Sequence, residues 1–68
     1  MPKYPNLAAE ISRRGVRKSV IASRIGVSPR SLSNKLSGTS PFTLDEAFCI
    51  CRDFFPDIGI DRLFSTKM

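Results

Sequence analysis

The chain has 68 residues, 41% of them hydrophobic, with two Cys, no Trp and no His, and a formal net charge of +5. That length allows one domain with a small core. The apolar fraction suits a small helical globule better than a disordered tail, no apolar run approaches the ~20 residues that span a bilayer, and without His a zinc site lacks its usual ligand set.

The opening MPKYPNLAAE carries no long apolar stretch of the kind that marks a signal peptide, so a cytoplasmic protein is expected. Cys49 and Cys51 stand two apart, and on a helix their side chains diverge. They read as ordinary helix residues in a reducing compartment, with no metal and no cofactor expected. The charge is unevenly spread. Residues 1–38 hold Lys3, Arg13, Arg14, Arg17, Lys18, Arg24, Arg30 and Lys35 against Glu10 alone, a balance of +7, whereas residues 39–68 balance at −2. A basic half of this kind is the electrostatic footprint of a polyanion binder. Solvated charge serving solubility is the alternative.

Proline and glycine cut the chain into helix-sized pieces, and apolar/polar alternation is nowhere sustained. The whole of 1–68 is read as a single all-α domain, a compact bundle of five short helices near 6–14, 18–25, 29–37, 43–55 and 60–64. In the first, Asn6 is a candidate cap, Leu7 and Ile11 are spaced i, i+4, and Arg13 and Arg14 lie in the last turn before Gly15. These two arginines suit a helix C-terminus better than a contact with a partner. The second piece, KSVIASRIG, carries Val20, Ile21 and Ile25 and ends at Gly26. The third, SPRSLSNKLSG, has Ser28 as N-cap and Pro29 at N1, and only Leu32 and Leu36 face inward.

The fourth opens with a capping box, Thr43 with Glu46. Leu44, Ala47, Phe48, Cys51 and Phe55 are assigned to its buried face, Ile50 to its flank and Cys49 to the exposed side, with Pro56 ending the helix. Ile60, Leu63 and Phe64 of a last short turn are offered to the core. Phe54, Phe55, Pro56, Ile58 and Ile60 form an apolar cluster that is either core closure or a dimer seam.

The second and third helices are joined by only Gly26, Val27 and Ser28, which forces a steep crossing. Ala22 permits close approach, Gly26 tolerates the positive φ of the turn, and Val27 plugs the corner. Ala22, then Gly26-Val27-Ser28, then Leu32 is a specific helix-turn-helix pattern, and the third helix has a nearly all-polar outer face: Arg30, Ser33, Asn34 and Ser37.

On these residues the stretch KSVIASRIGVSPRSLSNKLSG resembles the helix-turn-helix family of lambda repressor and Cro-type phage regulators. SPFTLDEAFCICRDFFPDIGIDRLF is similar to the fourth and fifth helices of its small members, so the resemblance covers about residues 6–64. It implies a bacterial phage or prophage repressor that binds double-stranded operator DNA as a homodimer on a palindrome. The third helix would then lie in the major groove, with Arg30, Ser33 and Asn34 reading bases. Arg17, Lys18, Ser28, Ser31, Lys35, Thr39 and Ser40 are the candidates for phosphate. Pro29 reads nothing. Arg17 stands where many members have a Ser or Thr cap, and Lys18 where the family usually has Gln. Lys35 takes a commonly apolar place, implying either a tilted third helix or a stem laid along the core.

The absence of a second, inducer-binding domain favours a Cro-like regulator over a full-length repressor, with no small-molecule ligand. The competing expectation is an antitoxin-like or regulatory subunit whose helix-turn-helix is repurposed to hold a protein, with the apolar Phe54–Ile60 cluster as its working surface. An enzyme is not expected, because neither a His nor a paired-carboxylate cleft is available for acid–base chemistry.

Overall fold

A computed structural model of the chain describes residues 3–67. Among the described residues there are five helices and no strand: α1 (Pro5–Arg14), α2 (Lys18–Ile25), α3 (Pro29–Ser37), α4 (Leu44–Phe54) and α5 (Ile60–Leu63). Local chemistry sets most of the boundaries. Pro29 begins α3 while the Ser28 hydroxyl accepts from the Ser31 N–H. At α4, the Thr43 hydroxyl accepts from the Glu46 N–H at 3.1 Å and the Glu46 carboxylate accepts from the Thr43 N–H at 2.9 Å. This reciprocal pair satisfies two N–H groups that the helix itself leaves without partners. Gly26 ends α2 at φ 77°, a conformation that would strain a residue bearing a Cβ.

α1 starts differently from the expectation. Tyr4 occupies the N-cap position with no side-chain hydrogen bond, and Pro5 begins the helix. Asn6 is therefore no cap. Its amide donates to the Arg62 carbonyl at 2.9 Å and fastens α1 to α5.

The core is built from Leu7, Ile11, Ile21, Ala22, Leu32, Ile50, Phe55 and Leu63, all buried, so each of the five helices or the residue capping it contributes. α2 packs on both α3 and α4, with the fully buried Ala22 allowing the close approach. Beside this core, Tyr4, Phe42 and Phe64 form an edge-to-face triangle with ring centroids 5.2–5.6 Å apart. That triangle joins the segment before α1, the α3–α4 loop and the residue capping α5.

The buried face of α4 is rotated from the one assigned to it. Ile50 is 1% exposed and Ala47 9%, whereas Leu44 is 69% and Phe48 48% exposed. Cys49 is half-buried, not exposed, and its thiol donates to the Asp53 carboxylate at 3.3 Å. Burial and the neighbouring Asp53 carboxylate both raise the Cys49 thiol above its ordinary range. Seven of the helix's eleven residues are apolar or Cys, so its wheel offers more than one seam; packed against α2 and α5, it buries Ala47 and Ile50. The apolar cluster after α4 resolves largely as core closure. Phe55 is 0% exposed and is no candidate for a dimer seam; Phe54 and Ile58 pack against the core beside it. Pro56 is exposed and Ile60 half-buried.

Candidate nucleic-acid interface

α3 is held at both ends. Its start is capped by Ser28, whose hydroxyl also donates to the Ser31 hydroxyl at 3.0 Å. At its end the Lys3 N–H donates to the Leu36 carbonyl at 3.3 Å, and the Thr39 N–H donates to the Asn34 carbonyl at 2.9 Å. Gly38 turns the chain at φ 91°, with the Lys3 side chain so close that an added Cβ would lie 2.7 Å from it. Leu32 is completely buried and Leu36 half-buried. The helix therefore cannot roll about its axis, and the opposite stripe is fixed toward solvent.

That stripe is Arg30, Ser33, Asn34 and Ser37, spaced i, i+3, i+4, i+7, and all four are exposed. Arg30 makes no ion pair among the described residues, and the Asn34 side chain has no hydrogen bond there. The Ser37 hydroxyl is turned back to the Asn34 carbonyl at 3.0 Å and lies 3.1 Å from the Thr39 hydroxyl. Thr39 is exposed and Ser40 half-buried, with the Ser40 N–H on the Asn34 carbonyl at 3.3 Å.

Arg17 and Lys18 sit at the start of α2, both exposed and both without an ion pair among the described residues. No side chain caps this helix. Its first N–H groups therefore face outward beside two cations, an arrangement suited to an anion. Lys18 and Ser33 line one open groove of about 600 Å³ whose floor includes Ala8, Ile11 and Leu36, so the start of α2 and the outer face of α3 share a surface.

Lys35 departs from its assignment as a phosphate ligand. Its Nζ lies 3.0 Å from the Glu46 carboxylate, donates to the Pro41 carbonyl at 3.0 Å and sits 5.9 Å from the centre of the Phe42 ring. Its side chain is only 13% exposed. The stem lies along the body of the protein and the ammonium group bolts α3 to the first turn of α4. Burial pushes the Glu46 carboxyl up, but the Thr43 N–H and the Lys35 ammonium together outweigh it and hold the group below its ordinary range. Ser28 and Ser31 share this flank of α3 and are engaged with each other.

Arg13 and Arg14 of α1 and Arg24 of α2 are also committed. Arg14 forms a two-pronged pair with Asp57 at 2.7 and 2.8 Å, bonds Glu10 at 3.0 Å and lies over the Phe55 ring at 5.3 Å. Bonding to Arg14 lowers the Asp57 carboxyl to about 2. Arg13 pairs with Glu10 at 3.0 Å, and Arg24 with Asp53 at 3.3 Å. Sequence reasoning missed these couplings. Two signals were available: Lys35 takes a commonly apolar place, which implied a stem laid along the core, and Glu10 stands three and four residues before Arg13 and Arg14 on α1.

The fold and the surface define a class: a five-helix domain whose central helix-turn-helix presents a rigid, polar, cation-flanked helix face. No family model matches the chain, and neither a curated protein nor a solved structure is significantly similar to it.

Proposed function

We propose that the protein is a sequence-specific, double-stranded-DNA-binding transcriptional regulator of the Cro-like repressor kind, acting as a dimer on a palindromic operator. The observation that carries the reading is the selective pairing of charge. Arg13, Arg14, Arg24 and Lys35 are bound to carboxylates, while among the described residues Arg17, Lys18 and Arg30, and Lys3 beside the end of α3, have no ion pair.

An α-helix fits the major groove, and a guanidinium is suited to the O6 and N7 of guanine, a carboxamide to the N6 and N7 of adenine. Arg30 and Asn34, one turn apart on α3, are assigned those roles, with Ser33 reading only at close approach. Arg17, Lys18 and the open N–H groups of α2 take a phosphate, and Thr39 flanks the other end of α3. Lys35 is withdrawn from the contact set and becomes the brace that sets the angle of α3 on the body. The competing protein-docking reading is weakened by the burial of Phe55 and the packing of Phe54 and Ile58 against the core.

Selection of binding sites from random duplex DNA at a stated salt concentration tests the proposal. A palindromic consensus is the expected outcome, with half-sites about one helical turn apart. Recovery of no consensus, with affinity set by salt alone, sinks it.

A further inference from the structure

Leu44 and Phe48 are the largest apolar side chains that α4 leaves in solvent, at 69% and 48% exposure. They lie one turn apart, and the same outward strip carries Asp45 at its beginning and Arg52 at its end. Both charges are exposed. Among the described residues Asp45 has no ion-pair partner, and Arg52 pairs only with its neighbour Asp53, at 3.3 Å, with its side chain 76% exposed. Among the described residues the remaining exposed large apolar side chain, Val20, is on α2, lining a groove with Phe54. The strip is thus negative at one end, apolar in the middle and positive at the other, over about two helical turns.

Such a strip is complementary to itself when reversed. A two-fold axis through Phe48 sets α4 antiparallel to its copy, because a two-fold contact uses the same patch on both sides. Phe48 then meets Phe48 of the second copy at the centre. Asp45 faces Arg52 of the second copy, twice over. Leu44 packs on the aliphatic stem of that arginine.

The geometry points to a second copy of this chain as the occupant of this face, with Leu44, Asp45, Phe48 and Arg52 as the homodimer contact. The seam is therefore separate from the Phe54–Ile60 cluster. The inference rests on the dimeric part of the DNA-binding reading and gives it a mechanical basis. Lys35 ties α3 to Glu46, which lies on the inward side of the same α4, so pairing α4 with its copy fixes the spacing of the two α3 helices. A domain measuring 26 × 23 × 23 Å, doubled across this face, is large enough to place them the ~34 Å apart that one DNA turn requires.

Sedimentation equilibrium of the free protein, up to millimolar concentration, is the test. The wild type is expected to dimerise, and Phe48→Asp to raise the dimer Kd roughly a hundredfold, since the residue counts in both copies. Asp45→Arg and Arg52→Asp each weaken the dimer. The double variant restores it, because the exchanged charges meet again across the axis. Thermal melts by circular dichroism, at concentrations low enough to keep every variant monomeric, keep folding separate, and the exposed positions of Asp45, Phe48 and Arg52 predict a small change in Tm. A monomeric wild type, an unaffected Phe48→Asp dimer or a double variant as weak as the singles overturns the interface. A palindromic consensus with Phe48→Asp still dimeric sinks only this seam. A dimer lost in Phe48→Asp alongside no DNA consensus supports the seam and sinks the DNA reading.

Discussion

The basic first half and the acidic second half of this chain do different things with the same currency of charge. In the first half the cations outnumber the acids by seven. The second half supplies Glu46, Asp53 and Asp57, and each carboxylate folds back onto one cation of the first: Lys35, Arg24 and Arg14. What remains unpaired near α3 among the described residues is a subset, Lys3, Arg17, Lys18 and Arg30. The acidic half is thus a selector as well as a scaffold. It decides which positive charges are engaged in tertiary structure and which stay in solvent.

The sharpest way to break this arrangement is through the core that the second half closes. Phe55 is fully buried beneath the Arg14 guanidinium. Phe55→Ala is expected to cost about 3–5 kcal/mol, most of the stability available to a domain this small. Urea titration followed by circular dichroism should find it largely unfolded at 25 °C; a midpoint close to wild type would remove Phe55 from the core.

Next comes the division among the unpaired cations. Arg30→Ala should relax preference at one base pair by about 1–3 kcal/mol. Lys18→Ala should weaken all duplexes alike and reduce the salt slope of log K by about 1. Binding isotherms over a salt series, on consensus and mismatched duplexes, separate the two; equal behaviour of both variants would erase the distinction between reader and clamp.

Glu46→Gln sharpens the selector idea more gently. Glutamine still accepts from the Thr43 N–H, so the cap survives while Lys35 loses its counter-charge. The expected cost is about 1–2 kcal/mol in thermal or chemical unfolding. A released Lys35 should also steepen the salt slope of DNA binding. An unchanged slope would show that the ammonium stays where it is even without its partner.

The smallest effect is acid-dependent. Asp57 falls from its ordinary 3.8 to about 2 in the folded protein because Arg14 holds its charged form. Depressed in the folded state, it binds a proton more readily when unfolded, so its contribution is complete above about pH 4 and lost as pH falls toward 2. Glu46, also lowered, acts in the same direction. Melting temperatures between pH 5 and pH 2 should fall less steeply in Asp57→Asn than in wild type; parallel curves would discount the ion pair.

Much of the fold was legible because the signals that delimit a helix are local. Ser28 with Pro29, Thr43 with Glu46, and Gly26 act within three or four residues of themselves, so α2 and α3 run as expected and α4 starts one residue after its cap. Asn6 shows the limit. A residue of capping type was diverted by a carbonyl 56 positions away. The outer stripe of α3 was equally readable, since with Leu32 and Leu36 as the inward residues the remaining face follows from helical period alone.

Three matters were settled only by the assembled chain. α4 is apolar on so much of its circumference that its sequence permits several buried faces, and its packing on the rest of the domain buried Ile50 and left Leu44 and Phe48 outside. The cluster after α4 became core closure because Phe55 joined the buried core with Phe54 and Ile58 packed against it. Lys35 and Arg14 acquired partners 11 and 43 positions away, and no periodicity records a pairing of that span. Residue by residue, the sequence determined where helices begin and end and which side of α3 stays polar, because those depend on neighbours along the chain. Which apolar residues are covered, and which charges remain unspent, depends on neighbours in space, and only the tertiary structure could decide them.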